Sequence, residues 1–233
     1  MATYVQGQMD IDANLSLLAE GEIEVIGRLV DASNASLFVK VSNGTSSANA
    51  IYKPIAGERP LWDFPDGNLA SREVATYLVS NALGLNCVPP TILREGPFGL
   101  GSLQLWIDEC EKVGERYLLE LPGLRKLALL DAVVNNTDRK IGHLLFKGDQ
   151  IYGCDHGVTF HEEYKLRTVL WQFADKKLSE EELELLRTFD CDLSEYLTNA
   201  EMKALSLRID TLIKEERFPL PPTDWPAIPW PPF

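Results

Sequence analysis

Residues 135–160 read "NNTDRKIGHLLFKGDQIYGCDHGVTF". Two short apolar runs, "LLF" (144–146) and "IYGC" (151–154), flank "KGDQ" (147–150), a turn sequence containing glycine. Apolar strands joined through such a turn predict a β-hairpin. A hairpin returns the chain to its starting point, so the residues just outside its two ends come together. Asp138 and His143 lie just before the first strand, and Asp155 lies just after the second. The spacing therefore predicts that Asp138, His143 and Asp155 converge. All three histidines of the chain, His143, His156 and His161, fall within or directly beside this stretch.

Two carboxylates and one neutral nitrogen at a common point suit a divalent cation and a proton acceptor. Mg2+ takes carboxylate oxygen and keeps several waters, binding through few protein ligands plus substrate phosphates. Imidazole suits Mn2+ or Zn2+ somewhat better. The bland alternative is an aspartate that caps a turn beside ordinary surface histidines. Confinement of every histidine to one region of a 233-residue chain favours the functional reading.

The first half of the chain reads as a small sheet with one helix. "EIEVIGRLV" (22–30), "SLFVKV" (36–41) and "ANAIYKP" (48–54) are alternating or β-branched runs separated by turn-rich clusters. "NLASREVATYLVSNALGL" (68–85) reads as a helix, with Asn68 or Ser71 as its cap and Gly84 as its stop. "VPPTILRE" (88–95) and "GSLQLWI" (101–107) form a hairpin around "GPFGLG".

The second half reads as mostly helical. "LPGLRKLALLDAVVNN" (121–136) has proline at its start and asparagine at its end. "KLRTVLWQFADKKL" (165–178) is read as a further helix, with Lys165 and Arg167 as solvated charges. Two more helices open with capping boxes, Ser179 with Glu182 and Thr198 with Glu201. The Pro/Trp-rich tail, residues 219–233, is expected to be extended, either packed on the body or offered to a protein partner. Strands followed by helices indicate an α+β protein of two lobes. The expected limits are 20–108 for the first lobe and 109–218 for the second, within a single domain of 1–233.

A net charge of −13 argues against binding a nucleic-acid backbone, which rewards clustered Lys and Arg. No stretch has the length of a membrane helix, and the N-terminus lacks a signal-peptide pattern. Cys87, Cys110, Cys154 and Cys191 show no paired spacing and read as reduced thiols of a cytoplasmic protein. Lys53 in a strand and Glu73 twenty residues on, in the first turn of a helix, match a known phosphoryl-transfer device. There the carboxylate fixes a long cationic side chain that meets phosphate.

In this order, "IYKP", "SREVA", "NNTDRKIGH" and "GCDHG" resemble the protein kinase-like fold, in the branch holding phosphatidylinositol 3-/4-kinases and HipA-like kinases. "YKPIAGERPLWDFPDGNLASREVA" with "DRKIGH" and "DHGVTFH" resembles more narrowly an uncharacterised bacterial family common in actinobacteria. The resemblance implies ATP and Mg2+ or Mn2+ as cofactors, and phosphoryl transfer to an unidentified hydroxyl acceptor: protein, small molecule or lipid. It implies that Lys53, partnered by Glu73, holds the ATP phosphates, that Asp138 orients or deprotonates the acceptor, and that His143 and Asp155 bind metal. The loop 31–36, with Ser33, Asn34 and Ser36, stands where the phosphate-covering loop is expected, and Trp106 and Ile107 stand near the adenine.

Three positions depart from the pattern. The covering loop has no glycine, His143 replaces a metal-binding Asn, and His156 replaces a packing Phe. Two other readings therefore stand beside the kinase: a nucleotide-binding pseudokinase, and a metal-dependent hydrolase built on Asp138, His143, Asp155, His156 and His161.

Overall fold

A computed structural model of the chain describes residues 2–29, 35–64 and 69–233. These fall into two compact units. One runs up to Val74 and includes Pro89–Asp108; the other comprises Ala75–Val88 and Glu109–Phe233.

The first unit is an antiparallel five-stranded sheet. Its strands are β1 (Glu22–Arg28), β2 (Leu37–Ser42), β3 (Ser47–Pro54), β4 (Thr91–Gly96) and β5 (Gly99–Leu105), in the spatial order β1-β2-β3-β5-β4. Alternation sets the two faces. Val39, Val41, Ala50, Tyr52 and Leu103 are fully buried on one face, with Leu17 and Leu18 of the helix α1 (Ala2–Glu20) against them. Lys53 follows Tyr52 in β3 and so points to the opposite face.

Helix α1 is an addition to the expected single helix of this unit. Its sequence has acids but no Lys or Arg, so no ion pair along the helix supports it. Docking of Leu17 and Leu18 stabilises it, since helices in proteins owe most of their stability to tertiary packing. Arg94 closes its far end, donating through Nη1 to the Gly21 carbonyl at 3.0 Å.

Helix α2 (Leu69–Ala82) starts in the first unit. Of the two expected caps, Asn68 lies outside the described residues, and Ser71 lies inside the helix. The cap is Glu58, eleven residues upstream of Leu69. Its carboxylate accepts from Leu69 N at 3.0 Å and from Ala70 N at 2.8 Å. Burial pushes the Glu58 carboxyl up despite these bonds. Glu58→Ala is expected to cost about 1 kcal/mol, read as a lowered Tm. Glu58→Gln keeps an acceptor oxygen, removes the buried charge, and is expected to lose little of this. Equal losses in the two variants would remove the capping role.

The second unit contains the rest of α2, then α3 (Pro122–Val134), the hairpin β6 (Leu144–Lys147) and β7 (Gln150–Gly153), α4 (Glu180–Arg187) and α5 (Asn199–Glu215). Helix α3 is its spine, with every residue from Leu127 to Val134 buried. It ends on Asn135 in the left-handed region, φ 54°. The Asn135 side chain donates to the carbonyls of His161 and Glu163 and accepts from Lys165 N. Both expected capping boxes are present, Ser179 with Glu182 and Thr198 with Glu201.

The expected helix over residues 165–178 does not form; only Trp171–Phe173 makes a 3-10 turn. Its backbone amides are taken by distant partners instead. Arg167 N donates to Asn136 O, Thr168 N to Ala227 O and Val169 N to Arg139 O. Lys165 is buried rather than solvated, with its ammonium near His161 and Glu163. Arg167 donates through Nε to Thr137 O and stacks on Trp225.

Rather than the expected extended run, the tail bends repeatedly between residues 223 and 231, and it packs on this unit. Ala227 O accepts from Trp171 Nε1 as well as Thr168 N, and Pro232 O accepts from Ile141 N. Trp225 lies under Lys165 and Arg167, while Trp230 is 90 % exposed. Among the described residues no helix is long and apolar enough to cross a membrane.

Candidate functional site

In the first unit, Lys53 and Glu73 form an ion pair. Glu73 is buried, and an unpaired carboxylate there would be strongly disfavoured. Lys53 keeps 22 % of its side chain exposed, and the pair fixes where its ammonium lies. Gly101, opposite Pro54 in β5, has no room for a Cβ, which would fall 2.5 Å from the Lys53 carbonyl. The strand that carries Lys53 is thus closely backed.

Trp106 directly follows β5, and its amide donates to Asn49 O at 2.9 Å. Its ring meets Phe38 edge-on at 5.2 Å and stays partly exposed; Ile107 beside it is half-buried. Ser33 and Asn34 lie outside the described residues. Ser36 is buried, and its carbonyl accepts from Leu29 N.

In the second unit the hairpin pairs Leu144 with Gly153, and Cys154 N donates to His143 O at 3.0 Å. This closure brings His143 and Asp155 together, with Nε2 and Oδ2 3.4 Å apart. Asp155 has left-handed backbone, φ 58°, a conformation that Asp tolerates better than most residues. Half of its side chain is exposed. Asp138 lies on the preceding loop, where its amide donates to Asn136 Oδ1 at 2.9 Å. Its carboxylate meets Lys140 Nζ at 3.0 Å. Burial raises the Asp138 carboxyl above its ordinary value of 3.8, and the Asp155 charge adds to this; Lys140 and Arg167 offset only part.

The other two histidines are engaged elsewhere. His156 is fully buried, with Nε2 2.6 Å from Arg139 Nη2. His161 accepts through Nδ1 from Glu163 N and meets Lys165 Nζ at 3.1 Å. A five-residue Asp/His metal cluster is therefore not assembled. Among the described residues no group of three or more His, Cys, Asp and Glu is placed to hold a metal unaided. His143 and Asp155 do fit a Mg2+ or Mn2+ ion that takes its remaining ligands from water and phosphate. Two donors about 2.1 Å from one ion lie roughly 3 Å apart, close to their observed spacing.

Asp131 is a further residue of this region, one that no motif marks. It is fully buried in α3 and receives Arg139 through Nε and Nη2, Asn136 Nδ2 at 2.9 Å and Thr168 Oγ1 at 3.2 Å. The available signal was a lone acid in the apolar run "LALLDAVV" (127–134), because a buried carboxylate requires partners. Lys140, on the Asp138 carboxylate, is a second such residue.

No family model matches the chain. Protein Rv2133c of Mycobacterium tuberculosis is 39% identical, covering 95% of this chain and 96% of that protein. Among solved structures, hydra Fam20 with sugar superposes with a TM-score of 0.62 at 14% identity, covering 89% of this chain and 88% of that one. The Helicobacter pylori proinflammatory kinase CtkA gives a TM-score of 0.47 at 13% identity, covering 86% and 94%. At such identities the likeness is one of fold: the chain has an α+β, kinase-like fold.

Proposed function

We propose that this chain, which belongs to the family of Protein Rv2133c, is an ATP-dependent phosphotransferase of the phosphatidylinositol 3-/4-kinase-like or HipA-like kind. It moves the γ-phosphoryl group to a hydroxyl acceptor. The observation that carries this reading is the Lys53–Glu73 ion pair, a strand lysine held by a buried helix glutamate. A lysine so fixed meets phosphate with little further ordering cost, which is its use in phosphoryl transfer. Trp106 and Ile107 are the proposed adenine neighbours. The chemistry of Ser36 and its loop toward phosphate belongs to the same proposal.

Asp155 and His143 are the proposed holders of Mg2+ or Mn2+, which when bound offsets charge on the ATP phosphates. Asp138 is the proposed acceptor-orienting base. Lys140 keeps a cation at the Asp138 carboxylate, where phosphoryl charge would also be met. Catalysis of this kind is mainly positioning and electrostatics.

ADP release from ATP with Mg2+ or Mn2+, followed over pH, tests the reading. The base must be ionised to work, so kcat/KM falls as pH drops through the Asp138 pKa. Burial places that limb above 3.8. Stability runs the other way. The folded state holds this proton more tightly than the unfolded chain, so ionising Asp138 removes stability as pH rises from 3.8 through the raised value. An acid limb at or below 3.8 would remove Asp138 as the base. Stabilisation by ATP with no ADP release at any pH would indicate the nucleotide-binding module instead.

A further inference from the structure

Arg139 occupies a singular place in the second unit. It directly follows Asp138 in sequence, yet its guanidinium is fully buried. Nε and Nη2 hold Asp131 of α3, with the shortest contact 2.9 Å. Nη1 donates to the Cys154 carbonyl at 3.1 Å, and Nη2 meets His156 Nε2 at 2.6 Å. Cys154 and His156 are the two neighbours of Asp155. One side chain thus grips the metal-binding turn on both sides of its aspartate while anchored to α3. Gly153 makes room for it: a Cβ there would lie 2.9 Å from Arg139 Nη1 and 3.0 Å from Nη2.

The donor inventory fixes the chemistry of the His156 contact. A guanidinium has only donors, so in this contact His156 Nε2 is the acceptor. An aromatic ring without nitrogen would fill the same space and leave one of the two Nη2 N–H groups, the one not given to Asp131, buried with no acceptor, a state that folded proteins avoid.

Resting on the kinase reading of Asp138 and Asp155, we propose that His156 is a positioning residue. By accepting from Arg139 it couples the turn bearing Asp155 to the loop bearing Asp138, so that the two carboxylates keep one relative placement. The residue does its work by hydrogen bonding, and packing alone does not replace it.

Three variants separate these roles. In His156→Gln the amide oxygen sits as many bonds from the backbone as Nε2, so it reaches Arg139. In His156→Asn the amide is one bond short, and His156→Phe keeps the ring without an acceptor. Amide hydrogen exchange is read over residues 138–143 and 154–157, with α5 as the internal reference. Loss of a buried hydrogen bond predicts about tenfold faster exchange in both segments for the Asn and Phe variants, with α5 unchanged and His156→Gln within about threefold of wild type. Wild-type exchange in the Asn variant overturns the proposal. So does acceleration confined to 154–157, or acceleration throughout the unit in all three variants. If His156→Phe fails to fold, the Gln and Asn pair still decides.

Titration with Mn2+ and ATP adds a functional readout. His156→Asn is expected to bind more weakly than wild type, with affinity recovered in His156→Gln. Equal affinity in the two variants overturns the coupling to the metal turn. Wild-type protein that binds no Mn2+–ATP sinks the kinase reading, while the exchange result still reports the coupling itself.

Discussion

Asp155→Asn is expected to lower ADP release by roughly a thousandfold, the scale on which a charge-stabilising group is lost from a transition state. The substitution is well suited to isolating charge. Asn tolerates the left-handed backbone at this position, and the side chain is half exposed, so neither strain nor a buried void is created. Asp138→Asn is expected to lose about 10²–10⁴-fold, the usual contribution of a general base. Its stability should be equal to or above wild type, because burial already disfavours the ionised carboxyl there. Loss of turnover with an unchanged or raised Tm therefore assigns both residues to chemistry. Both variants turning over ATP at the wild-type rate would leave Lys53 and Glu73 as a structural pair and remove the proposed roles.

The largest effect on stability is expected at the buried Asp131–Arg139 pair. Both side chains are fully buried and each satisfies the other. Arg139→Met leaves the Asp131 carboxylate with Asn136 and Thr168 but without its cation. Asp131→Leu leaves a buried guanidinium. Breaking such a pair from one side costs about 3–5 kcal/mol, because the remaining charge is uncompensated. For a chain of this length that corresponds to a fall in Tm of roughly 6–20 °C. The double variant removes both charges, so its loss is expected to be smaller than the sum of the singles. Thermal melts of the four proteins give the coupling directly. Additive losses would show that the two residues are stabilised independently of each other.

Much of the architecture was legible because its determinants are local. Alternation in "ANAIYKP" puts Tyr52 in the core and Lys53 on the other face. The "KGDQ" turn closes the hairpin that brings His143 to Asp155. Ser179 and Thr198 find their capping partners three residues along the chain. In each case the determinant is local: residue alternation, a turn sequence, or a capping partner three residues along. Periodicity and turn chemistry report such determinants faithfully.

Local sequence thus specified the strands, most of the helices and the hairpin, and it pointed to the Lys53–Glu73 and His143–Asp155 contacts. Tertiary structure alone decided the rest. Glu58 caps a helix eleven residues away. Leu17 and Leu18 make a helix of a segment with weak local signals by docking on the sheet. Residues 165–178 abandon helical bonds because Asn136, Arg139 and Ala227 offer acceptors to their amides. Asp131, Arg139 and His156 form one buried network from three separate elements. For α1 the reason is apolar burial against the sheet; for the other three it is shared. A buried polar group must be satisfied, and when its partner is distant along the chain, only folding shows which group supplies it.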